Sequence, residues 1–122
     1  MGEPPDVDAL CQEARERLRQ GRLDEARRLF GEVLAVDKEH AEACEGFAAV
    51  CFHEKDYPGA IEHFELLSTL RPMDGRPLIN LGAVYNRQKE YDKAVAVLRK
   101  GVQKDSRSSE AFYNLGIAYR NL

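Results

Sequence analysis

Tryptophan is absent from these 122 residues, and cysteine occurs only three times. No apolar run reaches eighteen residues, so no membrane-spanning helix is expected. No stretch alternates with period two, so no strands are expected. Cys44 and Cys51 fall seven apart on one helical pattern. About 10.5 Å of rise separates them, too far for a disulfide. Unpaired thiols suit a reducing compartment, and a cytoplasmic setting is the expectation. Charge of one sign is not abundant either. The net charge of −3 argues against nucleic acid as the ligand. The opening MGEPPD lacks the basic and apolar regions of a signal peptide. Asp6 stands where a myristoylation site needs serine or threonine. Residues 1–6 read as a disordered leader.

Catalytic sets are also missing. His40, His53 and His63 have no HExxH or Cys/His spacing, so no metal site is expected. The chain has no GxGxxG, no phosphate-binding loop and no serine in a strained elbow. Its carboxylates sit on charged faces, not among apolar residues that would raise a pKa. The chain therefore reads as a non-enzyme, with no cofactor.

What is present is a period. GRLDEARRLF (21–30), KDYPGAIEHF (55–64) and KEYDKAVAVL (89–98) are evenly spaced, and their alanines Ala26, Ala60 and Ala94 recur every 34 residues. A fixed period of this length marks stacked repeats. The units run 7–40, 41–74 and 75–108, with a partial unit 109–122. Leu10, Cys44, Leu78 and Phe112 share one column. Ala14, Ala48, Gly82 and Gly116 share another that is always small. Phe30, Phe64 and Leu98 share a third. Small residues let helix backbones approach, and large ones fill the adjoining space.

Each unit splits into two helical patterns. In residues 41–54 the apolar positions Cys44, Phe47, Ala48, Cys51 and Phe52 follow the spacing of one helix face. A breaker follows, Gln20-Gly21 in unit one and Lys55-Asp56 in unit two. Pro58 sits where a first turn tolerates proline. The second pattern spans 57–70, with Ala60, Ile61, Phe64 and Leu67 on one face, and stops near Arg71-Pro72. Unit three repeats this over 75–88 and 91–104.

The segments NLGAVYNRQKEYDKAVAVL (80–98) and FYNLGIAY (112–119) resemble the tetratricopeptide repeat, a family of 34-residue helix–turn–helix units. The resemblance covers residues 7–122. It implies an all-α, right-handed superhelix of three full repeats plus one extra helix, seven helices in all. It also implies a scaffold that holds a protein or an extended peptide in a concave groove. The chain departs from the family pattern in lacking its usual Trp, and only Pro72 keeps its late proline.

The resemblance places the first helix of each repeat along the groove. The candidate groove residues are Asn80, Asn114, Arg76, Arg87, Phe52, His53, Ile79, Tyr113, Asn86 and Arg120, with Cys11 in a groove-facing column. Asn80 and Asn114 each begin an Asn-Leu-Gly one repeat apart. An amide both donates and accepts, so it can pair with any peptide backbone. Family members that bind extended chains use an asparagine ladder at this column. Gln12 and Gly46 would leave it without rungs in the first two repeats. Arg19, His53, Arg87 and Arg120 form a cationic line near the ends of the first helices. The plainer account of that line is macrodipole matching. If the line binds, it selects acidic segments. Family members that clamp a C-terminal carboxylate use Lys and Asn, and the matching positions here are Cys11, Arg15, Gly46, Arg76 and Asn80. Only Arg76 fits, so a carboxylate clamp is not expected.

Charge is uneven along the array. Unit two carries seven carboxylates against two cations, and unit three eight cations against three carboxylates. Glu13, Glu16 and Arg17 give repeat one the polar face of a natural cap. Residues 109–122 form a first helix with no second, exposing Phe112, Leu115, Gly116 and Tyr119, as if cut from a longer array. Two alternatives to the scaffold therefore stand. One is a self-associating unit, a homodimer through the last helix. The other is the substrate-recognition arm of a larger enzyme such as a glycosyltransferase.

Overall fold

The computed structural model describes residues 6–122. Within them the chain forms seven helices and no strand: α1 (Val7–Arg19), α2 (Leu23–Val36), α3 (Ala41–His53), α4 (Tyr57–Leu70), α5 (Arg76–Arg87), α6 (Tyr91–Lys104) and α7 (Ser109–Arg120). The leader expected over residues 1–6 falls mostly outside the described residues. Asp6 does not belong to it. Its carboxylate accepts from the backbone N–H of Asp8 and Ala9 and caps α1.

Local chemistry sets the helix bounds. His40 Nδ1 accepts from Ala43 N at 3.2 Å, Asp56 Oδ1 from Gly59 N at 3.1 Å, and Ser108 Oγ from Ala111 N at 3.1 Å. Each side chain satisfies a first-turn N–H that has no partner within the helix. The three turns inside the repeats close identically. Arg22 N donates to Arg17 O, Asp56 N to Cys51 O and Glu90 N to Tyr85 O, the long-range bond of a Schellman motif. This closure needs a left-handed residue. Gly21 supplies it at φ 76°, but Lys55 and Lys89 adopt φ 63° and 62°. A residue with a Cβ costs about 1–2 kcal/mol there, so the packing around the second and third turns must offset that strain.

The helices pair in sequence, α1 with α2, α3 with α4 and α5 with α6, and each pair packs on the next. The stack is a right-handed superhelix whose core divides into three clusters, one for each pair. Ala26, Ala60 and Ala94 are fully buried where the paired helices meet. The small column explains the close approach. A Cβ on Gly82, in that column, would fall inside the Leu98 side chain; outside the column, one on Gly46 would fall inside the Phe30 ring. Gly75 lies so near α6 that its Cβ would sit 2.7 Å from the Gly101 carbonyl oxygen.

Polar contacts tie the first repeat to the second. The Arg27 guanidinium reaches Glu54 Oε1 at 3.0 Å and Asp56 Oδ2 at 2.9 Å, and lies 5.1 Å from the centre of the Phe47 ring. Arg27, then the Gly59 N–H, hold Asp56 below the usual carboxylate range. Cys11, Cys44 and Cys51 are buried and unpaired. Burial pushes the Cys51 thiol up to about 11, which leaves it protonated near neutrality. Among the described residues no helix is long and apolar enough to cross a membrane.

Among the described residues α7 packs on α5 and α6, and its other side is exposed. Phe112 and Tyr119 are 52% and 53% exposed, and nothing lies within 4 Å of a Cβ placed on Gly116. The same column that receives Leu98 at Gly82 is open here.

Candidate functional site

The first helices of the pairs, with α7, line one face of the stack, and three hollows run along it. The first, of about 570 Å³, lies between α1 and α3 and is lined by Arg15, Leu18, Glu42 and Ala49 among others. The second, of about 230 Å³, lies between α3 and α5 over Ala49, Phe52, Phe64 and Ala83. The third, of about 420 Å³, lies between α5 and α7. Glu45 and Ala49 border the first and second, while Phe52, Ala83 and Glu110 border the second and third. The hollows therefore form one trough. Ala49 and Ala83 open its middle because a methyl stands there with larger residues on either side.

The predicted residues divide into three groups. Phe52, His53, Asn80, Arg87 and Tyr113 line the trough. Asn86 and Asn114 border it but are buried, Asn86 bonded across to α7 and Asn114 to its own helix. Asn86 Nδ2 donates to the Asn114 backbone oxygen at 3.0 Å, and Asn114 Nδ2 donates to Glu110 O at 3.0 Å. Ile79 is a correction. It is buried in the third core cluster against α6, where a Cβ on Gly101 would meet it at 3.0 Å. Cys11 is likewise buried in the first cluster and does not face the groove. Arg76 is exposed, yet its guanidinium is held by Asp74 at 2.8–3.1 Å. That contact keeps Asp74 below the usual carboxylate range. Arg120 is exposed at the end of α7 and lines none of the three hollows.

The two Asn-Leu-Gly segments thus have different fates. Asn114 faces Asn86 from the preceding repeat, whose amide donates to the Asn114 backbone oxygen at 3.0 Å and lies 3.5 Å from its Oδ1. Asn80 faces the equivalent residue of its own preceding repeat, which is Phe52. A phenyl ring accepts no ordinary hydrogen bond, so among the described residues the Asn80 amide has no protein partner. In the second repeat the column holds Gly46, whose place is filled by Phe30. Among the described residues the column therefore offers no continuous row of open asparagines along the trough. One amide, Asn80, remains open at its centre.

Charges in the trough are mostly neutralised. Glu42 pairs with Arg15 at 3.1 Å and Glu45 with Arg71 at 3.3 Å, while Arg19 pairs with Glu16. Arg87 lies 5.5 Å over the Phe52 ring. That ring also contacts His53 and Tyr57, with centroids 6.0 and 6.2 Å away. Glu110, Arg87 and Arg120 form no ion pair among the described residues. Sequence reasoning left Glu45, Glu110 and Phe64 out of the site. The 34-residue period puts the two glutamates in groove columns, so a signal was present for them. Phe64 sits on a second helix, and no groove column points to it.

Comparison with known proteins places this geometry. A family model described as tetratricopeptide repeat matches residues 11–72, and a second, described as TPR repeat, matches residues 82–122. Protein bimA of Emericella nidulans is 32% identical over 91 residues, 75% of this chain. The chain spans only 11% of the length of that curated relative. The crystal structure of MamA superposes with a TM-score of 0.91 at 22% identity, covering 97% of this chain and 69% of that one. The first TPR of Spaghetti (RPAP3), bound to the HSP90 peptide SRMEEVD, superposes with a TM-score of 0.87 at 17% identity, covering 93% and 90%. At these identities the structural likeness concerns the fold.

Proposed function

This chain belongs to the tetratricopeptide repeat family, and on that premise we propose that it is a protein-interaction scaffold holding an extended peptide along the trough of its first helices. The observation that carries this reading is the open Asn80 amide at the centre of a continuous trough, between an apolar floor and charged edges. An extended chain has a backbone N–H and C=O at every residue that need partners once buried. The Asn80 amide can meet both, whatever the peptide's sequence. A related fold, the RPAP3 domain, holds a peptide. The unpaired, buried thiols suit the cytoplasmic setting proposed for it. A protein segment fits the mixed charge of the trough better than a nucleic acid does, which would need a basic face.

The test is a peptide-library screen followed by titration of a captured peptide against the wild-type chain and Asn80→Ala. The expected result is weaker binding by roughly three- to ten-fold, one backbone hydrogen bond, at an unchanged melting temperature. Unchanged affinity rejects the role of Asn80.

Self-association is the second reading. It is favoured by the exposed Phe112 and Tyr119 on α7, with the open Gly116 between them. A second copy would cover this strip, since two such faces can pair about a two-fold axis. Sedimentation across a concentration range is expected to show a dimer that Phe112→Glu dissociates. A monomer at every concentration excludes this reading.

A further inference from the structure

The charges facing the trough are sorted by edge. All the first helices run in the same direction. Glu42, Glu45 and Glu110, in or near their first turns, therefore lie along one edge. His53, Arg87 and Arg120, in their last turns, lie along the other. From residue 76 to residue 87 the helix rises about 16 Å, which sets the separation of the edges. Glu42 and Glu45 already have cationic partners, Arg15 and Arg71. Glu110 and Arg87 do not, and both border the third hollow without pairing with each other. The floor between them is apolar, formed by Phe52, Ala83 and Ile117.

We propose that the trough selects an extended segment in which a basic side chain faces Glu110 and an adjacent acidic side chain faces Arg87; this rests on the peptide reading above. Successive side chains of an extended chain point to opposite sides. A basic and an acidic residue next to one another therefore reach opposite edges at once, whereas residues two apart reach the same edge. The long stem of a lysine or arginine lies on Ala83 and Ile117 while its head meets the Glu110 carboxylate. The acidic side chain completes the Arg87 guanidinium, which already lies over the Phe52 ring. Charge sorting by helix dipoles alone would place the acids and bases in the same way. It would give no preference among ligands, and the experiment separates the two accounts.

The experiment follows the alanine and isoleucine methyl signals of Ala49, Ala83 and Ile117 by NMR in the whole chain. Three acetylated, amidated alanine peptides are titrated at low salt. One carries Arg-Glu at its centre, one Arg-Ala-Glu and one Gln-Gln. The Arg-Glu peptide is expected to bind about five-fold more tightly than the other two, as for one solvent-accessible ion-pair contribution. Glu110→Gln and Arg87→Gln should each remove that preference while leaving the melting temperature in place. Equal binding of the three peptides, or a preference that survives both substitutions, overturns the inference and leaves the peptide-binding reading standing. If none of the peptides moves any of the three methyl signals, the peptide-binding reading fails with it.

Discussion

Replacing Phe30 by alanine is expected to cost about 3–5 kcal/mol of folding stability, a large part of what a small domain has. The Phe30 side chain is fully buried. Its ring belongs to the first repeat yet occupies the space a side chain at Gly46 would take in the second. Removing it opens a cavity at the joint between two repeats, in an array whose units contact only their neighbours. The reciprocal change has the opposite cause and the same sign. Gly46→Ala forces a methyl into the ring and should cost about 1–3 kcal/mol by overpacking. The two effects share one volume, so the combination Phe30→Leu with Gly46→Ala should cost less than the sum of the single changes. Chemical denaturation of the four proteins measures the coupling. Strict additivity would show that the ring and the glycine do not share that space.

The second large effect separates two residues that look alike. Asn114→Ala is expected to lower stability by about 1–3 kcal/mol, because it removes a buried amide bonded to Glu110 O and facing Asn86. Asn80→Ala should stay within about 0.5 kcal/mol of wild type, since its amide has no partner within the protein to lose. Thermal melts of the two variants decide this. Equal destabilisation would mean that Asn80 is as structural as Asn114, and would remove it from the proposed binding role. Asn80→Ala alone is therefore the sound binding test. A double substitution with Asn114 would mix lost affinity with lost fold.

Much of the architecture was legible in the residues. The second helices expected over 57–70 and 91–104 run over those residues. The first helices, expected over 41–54 and 75–88, are shorter by a residue or two, because the terminal positions serve as caps. The breakers at Gln20-Gly21 and Lys55-Asp56 are Schellman turns. The site was less legible. Column counting put Ile79 on the groove beside Tyr113, but Gly101 on α6 leaves room that draws Ile79 into the core. Arg76 was placed among the groove residues, and Asp74 two residues earlier holds it.

The sequence by itself determined the repeat, the helix count and the turns. These depend on helix periodicity, small-residue columns and capping groups, all local to one unit or its direct equivalents. It also placed Asn80 and Asn114 in identical Asn-Leu-Gly settings. Only the tertiary structure decided that one amide is buried and the other open. The reason is the residue each one faces across the stack, Asn86 for Asn114 and Phe52 for Asn80. An amide meeting an amide closes a hydrogen bond; an amide meeting a phenyl ring keeps its donors and acceptor for a ligand.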